Sequence, residues 1–391
     1  MLAHIKRGSA IGLVVATCLA GMLYPATPGV AGVAEDALQR KVRAELQTFI
    51  DWLAANEVRG FVGEFGWPDD FAGEAAQWNA LAQAWYELAD RAGLPGVVWA
   101  TGEWWSPDYP LAVYENSSYP AGGSVDTPNT QAPVFEAHLS TPGYQRGINV
   151  STGTFCEGHG LEPTSTFSNR TPGTYGECYQ FDGQGTFDFL ASRGIDTVKI
   201  EFRWEHVQRR LGGKLHDKSM SRLTAVVNRA RSAGLDVILS MHNFGAYWLW
   251  DGQKGVRRPI GSRYVPIRDY ADVWKRLSRR FESFAGVSYA IMSEPVGLRK
   301  KDGRSPAEVW EKASQAALGA IRATGDTSPI LVNGYKWSSL AGWSLRHPDA
   351  WIVDPADNFF YTAHHYWDRD ASGAYDYSYA DEVTYAQQQG Y

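Results

Sequence analysis

Two glutamates far apart in the chain each close an apolar run of strand character. Glu64 lies in GFVGEFGWP and Glu294 in YAIMSEP. Two carboxyls facing each other across a gap of about 5–5.5 Å can cleave a glycosidic bond with retention. One attacks the anomeric carbon; the other protonates the leaving oxygen and then deprotonates water. A single strand-end glutamate is more often a surface or ion-paired residue. Here both sit among aromatic residues and glycines, and the pair says more than either alone. Other chemistries lack their signatures. No His-Glu-x-x-His spacing offers a zinc site, no nucleophile elbow carries a serine, and no Gly-rich loop follows a strand to hold phosphate.

For the two glutamates to meet, strands must hold them at one end of a common sheet. Strand-like runs at Gly60–Phe65, Pro95–Thr101, Gly147–Val150, Thr197–Phe202, Asp236–Met241, Val287–Met292, Ile330–Asn333 and Phe359–His364 alternate with helical patterns. That alternation predicts a parallel sheet with helical crossovers, and eight strands close a (β/α)8 barrel. Helices are expected over Ala37–Ala55, with Leu46, Phe49, Ile50 and Leu53 at helical spacing, and over Gly73–Ala92. Ser305-Pro306-Ala307-Glu308 reads as a capping box. Residues 115–146, rich in Pro, Gly, Ser and Thr, read as a connector holding a short helix at Pro133–Leu139. The chain is thus read as a leader over 1–34 and one catalytic domain over 35–391, divided at the connector into 35–114 and 147–391.

Lys6 and Arg7 ahead of an apolar run from Ile11 to Leu23 give the leader the pattern of a secretory signal, too short to span a membrane. Secretion is expected, and no span in the mature form. Net charge is −6, with no basic stripe for nucleic acid. Beyond Cys18, two cysteines remain, Cys156 and Cys178. In an exported protein such a pair most simply forms a disulfide, contributing roughly 3 kcal/mol by closing the loop between them. Sixteen tryptophans serve core packing first, though sugar clefts also need flat apolar faces. Asp368, Asp370 and Ser372-Gly373 imitate the start of a calcium loop, but Tyr379 stands where the bidentate glutamate belongs. A cleft loop is the better reading. No cofactor or metal is expected, and the chain is expected to act as a monomer.

Eight segments together resemble glycoside hydrolase family 5, in particular its fungal-type endoglucanase branch. In the family's order they are GINVSTG, VKIEFRWEHVQ, SMHNFGAY, YAIMSEP, AALGAIRATG, NFFYTAHHYWDRDASG, GFVGEFG and VVWATGEWWSPDY. They cover most of the chain beyond the leader, and the family's seventh and eighth strands come first. The resemblance therefore implies a TIM barrel that is circularly permuted. It implies that Glu64 is the nucleophile and Glu294 the acid/base. It places His242 and Asn243 near the sugar, His364 against the acid/base, Tyr366 on the nucleophile and Trp99 as a floor under the sugar. Trp104 and Trp105, after the family's last strand, are candidate platforms, as are Trp248 and Trp250.

Two positions depart from the family. Lys199 replaces an arginine, keeping the charge but losing the planar fork. Arg203, four residues on along the same strand face, is the candidate to compensate. Ser293 replaces the asparagine that contacts the sugar 2-hydroxyl. The resulting expectation is a secreted, retaining endo-β-1,4-glucanase acting on cellulose-like glucan. Alternatives are a retaining hydrolase of mannan, chitosan or a wall polymer, and a non-catalytic carbohydrate-binding protein. If the chain is permuted, the strand at Gly60–Phe65 must pair with the strand at Phe359–His364.

Overall fold

The computed structural model describes residues 35–70, 73–139, 145–155 and 166–391. The leader expected over 1–34 and Cys156 of the expected disulfide lie outside them; Cys178 lies within.

Eight parallel strands form a closed ring: β1 (Gly60–Gly66), β2 (Gly96–Thr101), β3 (Arg146–Val150), β4 (Thr197–Phe202), β5 (Asp236–Met241), β6 (Val287–Ala290), β7 (Ile330–Asn333) and β8 (Phe359–Tyr366). Each pairs with the next, and β8 pairs back onto β1. Among the described residues, seven helices of nine or more residues surround the ring: α1 (Ala37–Ala55), α2 (Ala75–Arg91), α3 (Gln184–Ser192), α4 (Asp217–Ser232), α5 (Ile267–Phe281), α6 (Pro306–Arg322) and α7 (Tyr379–Gln388). This is a (β/α)8 barrel.

Local sequence explains the elements. Leu38, Val42, Leu46, Phe49 and Leu53 are all buried along one stripe of α1, three or four residues apart as a helix packed on one face requires. Asp36 caps α1 in a box with Gln39, as Ser305 caps α6 with Glu308. At the closed end of the barrel, Phe61, Val97, Ile238, Ala290 and Leu331 pack together with Phe360. These side chains, drawn from six strands, fill the interior so that the barrel is a core rather than a pore.

The register at the closing pair aligns Glu64 with His364 and Gly66 with Tyr366. The elements flanking that pair also meet. Tyr379 Oη donates to Asp36 Oδ2 at 2.7 Å, and His365 Nε2 lies 3.1 Å from Glu45 Oε2 on α1. The first and last helices are therefore neighbours across the β1–β8 seam.

Several boundaries differ from the sequence reading by one or two residues, two of them at buried contacts. β6 stops at Ala290 rather than Met292, because the Ile291 carbonyl accepts from Tyr270 Oη (2.7 Å) and Trp274 Nε1 (2.9 Å) on α5. β3 begins at Arg146, which the sequence reading leaves in the connector. The Arg146 guanidinium is fully buried and donates to Asp90 Oδ1 at 2.9 Å. The connector itself holds a two-residue antiparallel pair, Tyr114–Glu115 with Thr127–Pro128, and a short helix, Ala132–Ala137. Among the described residues no helix is long and apolar enough to cross a membrane.

The packed closed end makes a direct prediction. Leu331→Ala removes one of six interior side chains with little room to collapse. It should cost about 2–5 kcal/mol of unfolding free energy, read as a lower denaturant midpoint with an unchanged slope. A loss under about 1 kcal/mol would show that this layer is not tightly packed.

Candidate active site

Glu64 ends β1 and Glu294 follows β6, both at the C-terminal mouth of the ring. Nearby carboxylate oxygens of the two, together with one nitrogen of His364, all lie within 4.8 Å of one another. His364 Nδ1 stands 2.9 Å from Glu294 Oε1 and 3.3 Å from Glu64 Oε2. One imidazole therefore touches both acids. Its other nitrogen, Nε2, lies 3.2 Å from Asn333 Nδ2 at the end of β7, which fixes the ring plane. Tyr366 Oη, two residues along β8 and so on the same face, donates to Glu64 Oε2 at 3.2 Å.

Backbone geometry explains the residues around each glutamate. A Cβ on Gly63 would sit 2.6 Å from Thr362 Oγ1, and the β1–β8 register shifts at this point. Glycine is thus what lets β1 bulge against β8 and aim Glu64 at the mouth. Glu294 occupies the left-handed region, φ +54°, which a non-glycine residue adopts only when its surroundings hold it there. Its neighbours do so: Ser293 N donates to Met241 O at 2.8 Å and Val296 N to Phe244 O at 3.2 Å.

Lys199, on β4, lies inside the barrel beneath Glu64. Its Nζ is 2.8 Å from Glu64 Oε1, 3.2 Å from Glu201 Oε1 and 3.3 Å from the Gly63 carbonyl. The contacts to Glu64 and the Gly63 carbonyl are hydrogen bonds, and that to Glu201 is an ion pair. Arg203 does not take the place of the missing arginine. Its guanidinium lies over the rings of Phe167 and Phe244, 5.2 and 5.8 Å from their centroids. Lys199 itself supplies the charge at Glu64, and Glu201, which the sequence reading overlooked, pairs with Lys199. Strand alternation puts residues 199, 201 and 203 on one face, and that signal was available. Glu201 is fully buried and also lies 2.6 Å from His242 Nδ1 through Oε2.

These contacts set the charges. Burial alone would push Glu64 upward, but His364, Lys199 and His242 outweigh it and bring its pKa down to about 2. Burial would pull Lys199 down; Glu64 and Glu201 hold it above its ordinary value. Burial opposes protonation of His242 as well, and Glu201, Glu64 and Glu294 together raise its pKa. The mouth thus holds an ionised Glu64 supported by buried cations. The space between Glu64 and Glu201, two carboxylates that with His242 could hold a metal, contains the Lys199 ammonium.

Above this lies a cleft of about 400 Å³, lined by Glu64, Glu294, His242, Trp99, Trp105, Tyr109, Leu111, Thr154, Phe155, Arg203, Phe244, Tyr366, Ser372 and Gly373. Trp99 Nε1 donates to Tyr109 Oη at 2.7 Å, and Trp105 stacks on Tyr109 at 3.9 Å. The loop after β8 reaches the cleft through Ser372 and Gly373. Its Asp368 carboxylate accepts from Ser372 Oγ (2.8 Å) and the Gly373 amide (3.1 Å).

Other expected contacts lie elsewhere. Ser293 is buried with its hydroxyl 3.0 Å from Ser240 Oγ, outside the cleft wall. Asn243 is a buried clamp, accepting from Trp204 N at 2.6 Å and donating to Glu205 Oε2 at 2.8 Å. Trp248 packs edge-on against Phe167, in an antiparallel hairpin with Trp250 (Ala246–Trp250 with Gly255–Pro259). Neither lines the cleft. Trp104 lines a larger outer groove of about 1230 Å³ that shares Phe155 with the cleft. Tyr109, Phe155 and Phe244 were not singled out from sequence, because only the tertiary fold brings their loops together.

Comparison with known proteins agrees with this geometry. The profile of the cellulase family, glycosyl hydrolase family 5, matches residues 156–391. Endoglucanase gh5-1 of Neurospora crassa is 26% identical over 205 residues, 52% of this chain and 48% of that protein. Endo-β-1,4-glucanase B of Emericella nidulans is 27% identical over 207 residues, 52% of this chain and 57% of that protein. The chain spans about half the length of the curated relatives it matches. Among solved structures, a triple-substituted endo-β-1,4-glucanase of Xanthomonas axonopodis pv. citri is 26% identical with a TM-score of 0.50, covering 62% of this chain and 73% of that one. With more than half of its residues matched by the profile, the chain belongs to glycosyl hydrolase family 5.

Proposed function

We propose that this protein is an exported, retaining endo-β-1,4-glucanase. Its nucleophile is Glu64 and its acid/base Glu294. The observation that carries this reading is the pair of carboxylates within 4.8 Å, with one histidine in contact with both. That separation suits direct attack by one carboxylate and is too short for the intervening water of an inverting enzyme. The bond class follows the endoglucanases that the chain resembles. The charged and apolar pattern at residues 6–23 supports export.

The chemistry runs in two displacements. Glu64 is ionised, so its oxygen attacks the anomeric carbon while Glu294 gives its proton to the leaving oxygen. Tyr366 holds Glu64 Oε2, leaving the attacking lone pair correctly aimed. Once the glycosyl ester forms, Glu64 no longer carries charge. Glu294 then takes a proton from water, and the His364 N–H shared between the two acids is available to steady it. Lys199, which replaces the family's arginine, leaves Glu64 with a charged partner at hydrogen-bond distance. This weighs against the non-catalytic reading.

We further propose that the barrel is circularly permuted. Collinear family similarity covers residues 156–391 and omits β1, β2 and β3, although β1 carries Glu64. The neighbouring α1 and α7 helices and the β1–β8 pairing are what a rotated chain order requires.

Four outcomes test these readings. Glu64→Gln should abolish release of reducing ends from soluble cellulose, and Glu294→Gln should slow it about 10²–10⁴-fold. The first product seen by NMR should be the β-anomer; an α-anomer would overturn the retaining assignment. Because its folded pKa is depressed, Glu64 contributes stability that is present above pH 4.5 and lost as pH falls towards about 2. Lys199→Met should shrink that window and move the acid limb of kcat/KM upward by about one pH unit or more; an unmoved limb would separate Lys199 from the ionisation of Glu64. Finally, a gene reordered as residues 145–391, a short linker, then 36–139, which keeps β3 and the connector helix, should give a folded, active barrel. Failure to fold would count against the permuted order.

A further inference from the structure

Arg203 has guanidinium hydrogen-bond donors that its fold does not use. It is 3% exposed, yet its Nε and Nη1 have no hydrogen-bond acceptor among the described residues. The nearby acids Glu205 and Glu201 act on it through charge and make their hydrogen bonds elsewhere. Glu201 faces Lys199 and His242. Glu205 accepts from Asn243 Nδ2 at 2.8 Å and from the Trp248 amide at 2.6 Å. A buried charged donor without an acceptor is costly, and it faces a cleft rather than a core. Arg203 lines the cleft beside Glu294 and His242. Phe167, one of the two rings it lies against, also lines the outer groove.

That groove continues the same sign of charge. Arg170 and Arg209 line it, with Glu177 as the one acidic residue among its described lining residues. Neither arginine has a side-chain ion pair among the described residues. In a chain of net charge −6, three arginines follow one path from the reacting carboxylates outward.

We propose that this cleft and groove recognise a carboxylate-bearing β-glucan, with a uronate seated on Arg203 and further acidic sugars along Arg209 and Arg170. The inference rests on the glycosidase reading and specifies its substrate. The planar guanidinium supplies parallel N–H donors that match a sugar carboxylate. A neutral glucan offers only hydroxyls there, and cationic chitosan would be repelled.

The test measures binding separately from cleavage. In the Glu64→Gln background, calorimetry at low salt would compare cellotetraose with its C6-carboxylated counterpart of the same length. The carboxylated probe should bind about tenfold tighter or more. Arg203→Met in that background should reduce the preference to within about twofold, and Arg203→Lys should keep part of it. Arg170→Gln with Arg209→Gln, made at the less buried groove, should reduce its salt dependence even if Arg203→Met folds poorly. Equal affinity for the two probes would overturn the proposal, as would a preference that survives Arg203→Met. Wild-type protein that cleaves neither probe would instead remove the glycosidase reading, while the binding preference would still be measured.

Discussion

The pairing of β1 with β8 is the contact on which the site depends. It joins segments about 300 residues apart and fixes them in a single register, Glu64 opposite His364. A slip of one residue would turn Glu64 away from the mouth and bring Phe65 or Gly63 in its place, because side chains alternate along a strand. Phe65 is needed on the other face, where it stacks on Trp85 at 4.0 Å. Apolar packing outside the barrel thus enforces the polar arrangement within it. The Gly63 bulge then sets the final position of Glu64.

With the register fixed, the charges must be tolerated together. Glu64, Glu201 and Glu294 crowd one mouth, and burial opposes the ionisation of each buried acid. Lys199 lies between two of them. An arginine there could grip one carboxylate through its fork, whereas a lysine is a compact point charge with three divergent donors. Glu201 fits the lysine: it forms an ion pair with the ammonium and also holds His242. The two departures from a simple strand, Lys199 and Glu201, are best understood as one unit. This also explains why Arg203 is not drawn towards Glu64.

The barrel was legible in the sequence because its signals are local. Apolar strands, the Ser305 capping box and the stripe on α1 each announce themselves within a few residues, and the seam followed from the rotated order of the eight segments. That the two glutamates, His364, Tyr366 and Trp99 would gather at one end of the barrel was legible through resemblance and spacing. Side-chain direction after a strand end was not. Ser293 and Asn243 stand next to or near motif residues, yet both turn inward to satisfy buried partners. Tyr109, Phe155 and Phe244 reach the cleft from loops whose approach depends on long-range packing. Glu201 was within reach of the alternation rule, but an acid in the middle of an apolar strand reads as an exception until its lysine partner is placed beside it.

Chain order and chemistry are separable in such a fold. A (β/α)8 barrel gathers its reacting groups at one end of the ring, from loops that follow different strands. What matters is that each strand end reaches the mouth, in whatever order the chain visits them. Connections on the opposite face, or through surface segments such as the 115–146 stretch, change loop entropy only slowly with length. The strain held at Glu294 and the buried cations around Glu64 depend on neighbours in space, and those neighbours are the same whether β1 is reached first or last. Substrate choice can therefore be adjusted where the ring leaves freedom. Arg203 occupies such a position: it lies one aromatic ring, Phe244, away from His242, on the cleft wall and outside the hydrogen-bond network around Glu64.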